Sequence, residues 1–227
     1  MKYIIIGLGN FGSTLAQLLT EMGNEVIGVD NNMGKIESLK EKITHTICLN
    51  STDALSVENL PIRDTDVVMV CIGENEGANL MTTALMKQYQ PKRLISRAVS
   101  PLHQTILEAM GVTEIIHPEE ETAIRWAKKL NIKGVVESFE LCDDYNIVEV
   151  VVPERYINKT LGEVELRKKY DVLVLTTIKM NQEVNTLGVS RKMPRVKGVA
   201  SAETVLEKGD LMVLYGHIRN IKKLLGT

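Results

Sequence analysis

At 227 residues, with 44% apolar and 25% charged side chains, the chain is long enough to bury a proper core as one large domain or two small ones. A net charge of -2 excludes any general pull toward nucleic acid or anionic lipid, so phosphate binding has to come from a local arrangement. The longest uninterrupted apolar run, Val67 to Ile72, is far short of the roughly 20 residues that cross a bilayer, and the start around Lys2 gives way to glycines too soon for a signal peptide. Cys48, Cys71 and Cys142 are widely separated, two of them within apolar strand-like runs. That spacing predicts buried thiols in a reducing compartment rather than a disulfide framework or a metal site, and a soluble cytoplasmic protein.

The first predicted elements lie in Lys2 to Asp30. An apolar run, Tyr3 to Ile6, breaks into Gly7-Leu8-Gly9-Asn10-Phe11-Gly12; Leu15, Leu18, Leu19 and Met22 then recur at helical spacing. A second strand, Glu25 to Val29, ends at Asp30, about 20 residues past the glycines, where a dinucleotide-binding unit places the acid for the ribose hydroxyls. Gly7 permits the turn, Gly9 lets backbone approach a phosphate, and Gly12 lets helix lie on strand, while the helix start attracts the anion.

Farther on, Lys35 to Ile43 reads as a helix and Thr46 to Leu49 as a strand. The capping turn Asn50-Ser51-Thr52-Asp53 then precedes a short helix to Leu60. Val67 to Ile72 suits a strand buried on both faces. Gly73 to Glu76 turns into a helix reaching Tyr89, Arg93 to Arg97 is a strand, and Ser100-Pro101 opens a helix to Met110. Glu114 to His117 is the sixth strand, and Pro118-Glu119 begins a helix through Leu130. Six strands in strict alternation with helices predict a Rossmann-like, doubly wound parallel α/β sheet with its ligand crevice at the carboxyl ends of the strands.

Near Gly134 the period changes. Val135 to Leu141 and Ile147 to Val152 alternate as antiparallel strands joined through Cys142-Asp143-Asp144-Tyr145. Thr160-Leu161-Gly162-Glu163 is a capping box opening a helix to about Lys169. Asp171 to Lys179 and Leu211 to Tyr215 are strands, and His217 to Leu225 is a closing helix. The expected organisation is a nucleotide-binding domain over residues 1–134 and a small α+β domain over 135–227.

The polar residues of the strand-end turns converge on the expected crevice. Asn10 is nearest a bound phosphate, and its neutral side chain weakens any case for a triphosphate. Asp30 is read as the ribose ligand, against a helix N-cap at Asn31 to Met33 that leaves Asp30 merely solvated. Asn50 and Asp53 border a purine or merely cap a helix. Arg97 ends an apolar strand, where its charge needs an anion: a phosphate, or a carboxylate such as Glu119 or Glu120. The acids Glu119 to Glu121, beside His117, either hold a divalent metal that bridges to phosphates or complement a helix N-terminus. Arg191, Lys192, Arg195 and Lys197 crowd one loop, as a solvated charge run or a grip on a phosphate or acidic partner. The second domain has a single histidine, His217, and no acid–base pair, and the chain lacks a P-loop, which argues against catalysis as a dehydrogenase or a nucleotide hydrolase.

IIIGLGNFG at the start, Val29-Asp30, the turn at 50 to 53, Val-Cys-Ile-Gly at 70 to 73 and Ile-His-Pro-Glu at 116 to 119 resemble the regulator-of-conductance (RCK) domain. Val-Val-Pro-Glu at 151 to 154, Lys-Thr-Leu-Gly at 159 to 162, Leu-Arg-Lys-Lys-Tyr at 166 to 170 and Glu-Lys-Gly-Asp-Leu-Met-Val at 207 to 213 are similar to its companion C-terminal domain. The likeness is greatest to the peripheral subunits of Trk/Ktr-type potassium uptake systems. It implies a cytoplasmic gating subunit, peripheral to the inner face of the membrane, whose homodimers assemble into an octameric ring beneath a separate pore protein. The N-terminal crevice would bind ATP, ADP or NAD(H), with cyclic di-AMP in the C-terminal domain of some members. The residues expected around the nucleotide are Gly7, Gly9, Asn10, Phe11, Gly12, Asp30, Asn31, Asn50, Ser51, Thr52, Asp53, Ile72, Gly73, Asn75, Arg97 and Glu119, with Glu119 also reaching a metal across the dimer. ATP-selective members carry arginine where this chain has Asn10, which leaves ATP against NAD(H) open. The loop from Asn181 to Ala200 is longer than in the family.

Overall fold

The computed structural model describes residues 1–131, 134–142, 144–184 and 190–226; the side chains of 182–184 and 190–192 lie outside that description. The chain divides into two compact units, Met1–Glu121 and Thr122–Thr227.

The first unit is a six-stranded sheet built from β1 (Lys2–Ile6), β2 (Glu25–Asp30), β3 (His45–Cys48), β4 (Val67–Val70), β5 (Leu94–Arg97) and β6 (Glu114–Ile116). All five pairings are parallel, in the order β3-β2-β1-β4-β5-β6, with Ile6 opposite both Val29 and Val70. Strand side chains alternate between faces, so apolar runs such as Tyr3 to Ile6 feed two cores at once. Ile4, Ile6, Val68 and Val70 pack on one side with Val57 of α3 (Ala54–Val57) and Met86 of α4 (Glu76–Gln88). Ile5, Met69 and Cys71 pack on the other with Ala16 of α1 (Asn10–Glu21) and Ile36 of α2 (Met33–Leu39). Beyond these come α5 (Pro101–Ala109), with Ser100 as its cap and Pro101 in its first turn, and the start of α6 (Pro118–Asn131).

Two expectations fail here. The helix predicted over Lys35 to Ile43 starts at Met33 and ends at Leu39; Lys42 and Ile43 turn back onto the Leu39 carbonyl, so Ile43 reaches the core from a turn. Of the cysteines only Cys71 is buried. Cys48, at the end of the outermost strand β3, and Cys142 are exposed, because lying within an apolar run does not bury a residue at a sheet edge.

In the second unit β7 (Val135–Cys142), β8 (Tyr145–Val151), β9 (Leu173–Val184), β10 (Ser190–Val196) and β11 (Leu211–His217) form an antiparallel sheet in the order β10-β9-β11-β8-β7. Asp143, in the turn predicted between β7 and β8, lies outside the described residues. Val148, Val150, Met212 and Leu214 line one face, against Leu206, Val164 of α7 (Leu161–Val164), Leu166 of α8 (Leu166–Tyr170) and Ile221 and Leu224 of α9 (Ile218–Leu225). The capping box at Thr160 and Glu163 forms as its residues predict. The helix it opens does not run on to Lys169: Glu165, at φ 52°, ends α7 and a separate helix starts at Leu166.

The predicted loop between Asn181 and Ala200 is largely a strand. β10 pairs with β9 residue by residue, from Ser190 opposite Val184 to Val196 opposite Ile178. Pro194 disguised it, since proline is admitted only where a strand's N–H is not needed, and β10 is at the sheet edge. The basic run belongs to this edge. Arg195 is exposed, Lys197 binds Asp210 at 2.8 Å and Glu207 at 2.9 Å, and the side chains of Arg191 and Lys192 lie outside the described residues.

Candidate functional site

The strand order reverses between β1 and β4, so the chain leaves their carboxyl ends in opposite directions and a crevice opens between the exits. A cleft of about 430 Å³ occupies this place, lined from the ends of β1, β2, β4 and β5 and from the turn after β3.

Each glycine of the first turn meets a different demand. Gly7 has φ 95°, and a Cβ there would sit 2.8 Å from the Ile72 nitrogen. Gly9 caps α1 with nothing within 4 Å of its missing Cβ, so its clearance is open space. At Gly12 a Cβ would sit 2.0 Å from the Gly7 carbonyl oxygen, so only hydrogen lets the helix lie on the turn. No side chain caps α1 and no acid stands in its first turn, which leaves the start of the helix at the cleft without a side-chain acceptor of its own.

Asp30 is buried and holds that turn in place. Its Oδ2 accepts the Leu8 N–H at 2.8 Å and its Oδ1 the Asn32 N–H at 2.9 Å, with the Lys35 ammonium 3.6 Å away. The cap of α2 is Asn32, whose side chain accepts from Gly34 and Lys35. The cap thus falls within Asn31 to Met33, but Asp30 is buried rather than a solvated acid, and it lines the cleft wall.

After β3, Asn50 Oδ1 accepts from the Thr52 N–H and hydroxyl, and the Ser51 hydroxyl meets that of Thr82 at 2.9 Å. Asn50, Ser51 and Thr52 line the cleft. Asp53 does not: its carboxylate caps α3 and takes the Ser56 hydroxyl, and that hydrogen bond holds its pKa below the ordinary carboxylate value. Gly12 is off the lining too, confined to the helix–turn contact. The other fourteen predicted residues all line it.

At the far wall the Arg97 guanidinium crosses over Gly73, where a Cβ would lie 2.5 Å from its Nη1. Nη1 donates to the Cys71 carbonyl at 3.4 Å, and Nη2 is ion-paired and hydrogen-bonded with Glu119. Nε is buried and has no partner. The carboxylate reading of Arg97 is the one the contacts show: Glu119 takes one edge of the guanidinium, and one buried donor is left without a partner. Glu119 offers a cation a single, already paired carboxylate. Among the described residues no three His, Cys, Asp or Glu side chains come together to hold a metal, so a cation there would depend on phosphate oxygens of a ligand. His117 faces Glu120 at 4.0 Å, and both line a neighbouring hollow with Ser100 and Gln104.

Lys35 and Glu74 are charged lining residues that the sequence reading missed. Lys35 was hidden by placing the helix start two residues late. His217, the one histidine of the second unit, is occupied as the cap of α9, where its Nδ1 accepts the Arg219 N–H at 3.2 Å.

The family model of the TrkA-N domain matches residues 3–118, just over half of the chain and all of the parallel sheet but Lys2. The chain belongs to the TrkA-N domain family. Over nearly its full length it is similar to Ktr system potassium uptake protein A of Bacillus subtilis (strain 168), at 29% identity over 222 residues, 98% of this chain and 94% of that one. The Vibrio alginolyticus protein A is also 29% identical, over 95% of this chain and 92% of its own. Among solved structures, the GsuK RCK domain aligns with 99% of this chain and 47% of its own at a TM-score of 0.64 and 18% identity. The GsuK channel bound to NAD aligns with all of this chain and 39% of its own at 0.66 and 18%. This chain therefore spans less than half the length of either GsuK chain. At those identities the likeness is one of fold, and it extends beyond the TrkA-N domain through the antiparallel sheet of the second unit. Among the described residues no helix is long and apolar enough to cross a membrane.

Proposed function

We propose that this protein is a nucleotide-binding regulatory subunit of a potassium uptake system, in which occupancy of the TrkA-N cleft, rather than bond-breaking, is the output. One observation carries the nucleotide reading: the uncapped start of α1 and the Arg97 side chain line the same cleft, at the switch point of a parallel sheet. The helix start and the guanidinium charge suit the phosphates of an adenine nucleotide, ATP, ADP or NAD(H), with Asp30 beside the ribose and Asn50 to Thr52 beside the base. The potassium role is supported by the Ktr relatives, similar over almost the whole chain.

In this reading the protein is cytoplasmic, residues 1–134 bind the nucleotide and 135–227 form the second RCK domain. Homodimers assemble into a ring against a separate membrane pore subunit. Nucleotides that differ in their contacts with Arg97 and Glu119 favour different arrangements of paired subunits. A coupling of about 1–3 kcal/mol per site, summed around a ring, is enough to bias a pore.

The test is thermal denaturation with ADP, ATP, NAD and NADH, with and without magnesium. A bound nucleotide at a hundred times its Kd adds about 2.7 kcal/mol. No stabilisation by any of the four would refute nucleotide binding. Equal affinity for all four, with no change in assembly, would refute regulation by their exchange.

A further inference from the structure

A buried polar cluster lies under the rim of the cleft. Asn79 and Thr83 of α4, Ser96 of β5 and His103 of α5 are wholly inaccessible to solvent. The Asn79 amide nitrogen donates to the carbonyl of Ile72 at 2.8 Å and to that of Arg97 at 3.1 Å, and both residues line the cleft. Carbonyl oxygens only accept, so the amide has one orientation, with Oδ1 facing Ser96 Oγ at 3.0 Å, Thr83 Oγ1 at 3.3 Å and His103 Nε2 at 3.2 Å. An imidazole nitrogen that faces an amide oxygen must carry the hydrogen. His103 is then the Nε2–H tautomer, and its Nδ1 is a bare acceptor, buried without a partner. A second proton would set an N–H in a dry place with nothing to receive it.

We propose that Asn79 and His103 are a positioning pair for the nucleotide cleft: Asn79 ties the stretch after β4 to the end of β5, so that Gly73 and the Arg97 guanidinium keep their places, and neutral His103 holds the Asn79 amide. The proposal rests on the nucleotide reading above, since Ile72 and Arg97 matter only if the cleft is filled. The groups that bear on the ring's charge are few. Burial lowers the His103 pKa, Glu76 on α4 raises it, His117 after β6 lowers it further, and the net direction is downward. The neutral, binding-competent ring therefore persists through neutral pH, and binding weakens only as pH falls through the lowered value.

Isothermal titration of ADP and of NAD into the full chain, at about pH 7.5 and through a series of lower pH values, tests this. At the higher pH, His103→Leu should bind about tenfold more weakly, the scale of one lost buried hydrogen bond, and Asn79→Asp, which loses both bonds to the Ile72 and Arg97 carbonyls, more weakly still. His103→Gln, whose amide supplies the same N–H, should restore wild-type affinity, a rescue that a space-filling role would not produce. As pH falls through the lowered His103 value, wild type should lose affinity relative to His103→Gln, a comparison that cancels titration of the ligand phosphates. Failure of His103→Gln to regain the affinity that His103→Leu loses, or undiminished binding by a folded Asn79→Asp, would overturn the proposal. If Asn79→Asp does not fold, the His103 variants still decide it. If wild type binds neither ligand at the higher pH, the nucleotide reading falls and the pair's role with it.

Discussion

Removing the Asp30 side chain should destabilise the protein before any ligand is added. Its carboxylate is buried and takes two backbone N–H groups, Leu8 at 2.8 Å and Asn32 at 2.9 Å. Hydrogen bonds to a charged group contribute about 1.5–3 kcal/mol each, and the Leu8 N–H, which is buried, would find no water in exchange. The Asn32 N–H is partly exposed and recovers some of its loss from solvent, so Asp30→Ala should cost about 2–4 kcal/mol in all. In a unit of this size, where 1 kcal/mol moves the midpoint by about 4 °C, the melting point should drop by about 8–16 °C. Asp30→Asn keeps one acceptor and should fall between. Calorimetry without nucleotide reads this directly, and repeating it with ADP or NAD shows whether ligand stabilisation is lost as well. An Asp30→Ala protein that melts within about 2 °C of wild type in the absence of nucleotide would refute the claim that this acid braces the glycine turn.

Gly12→Val should fail to fold, because its Cβ would meet backbone, the Gly7 carbonyl oxygen at 2.0 Å, which cannot rotate away; loss of helical circular dichroism in the soluble fraction checks it. Glu119→Gln releases Arg97 from its ion pair and should tighten ADP binding by about threefold to tenfold, whereas Arg97→Met should weaken it; titration calorimetry of the two variants gives the signs. Lys179 and Lys197 hold the Glu207 carboxyl at a pKa of about 2. A depressed folded-state value contributes stability above the ordinary pKa of about 4.5, and it is lost as pH falls toward 2. Glu207→Gln should therefore flatten acid denaturation of the second unit over that window, and added salt should do so in part, since the group is surface-exposed. Burial pushes the Cys71 thiol up to about 12, so mass spectrometry after brief alkylation should find Cys48 and Cys142 modified and Cys71 intact.

Much of the first unit was legible because its signals are local. A glycine turn between an apolar run and an amphipathic helix, with an acid at the end of the next strand, constrains the backbone within thirty residues, and alternation of strands and helices then leaves few topologies. What was misread lay where local preference and the sheet disagree. Pro194 argues against a strand until the strand is known to lie at an edge. The end of α7 at Glu165 in a left-handed conformation goes against the preference of that residue type and is set by the packing of Val164 and Leu166 into one core. The buried cluster beneath the cleft did have a signal. Asn79, Thr82, Thr83 and Met86 fall at i, i+3, i+4 and i+7, so the period of α4 turns three polar residues inward, a pattern that asks what they bond to.

Sequence by itself determined which segments are strands and helices in the first unit, the order in which they alternate, and that the glycine turn faces a crevice, because periodicity and glycine spacing act over a few residues. Only the tertiary structure decided how charged and polar side chains are spent: Asp30 on the Leu8 amide, Asp53 on a helix start, Arg97 shared between Glu119 and the cleft, and Asn79 on two carbonyls. The physical reason is that a hydrogen bond or ion pair depends on distance and direction between groups far apart in the chain, 31 residues for Ser51 and Thr82, and one-dimensional spacing carries no such information.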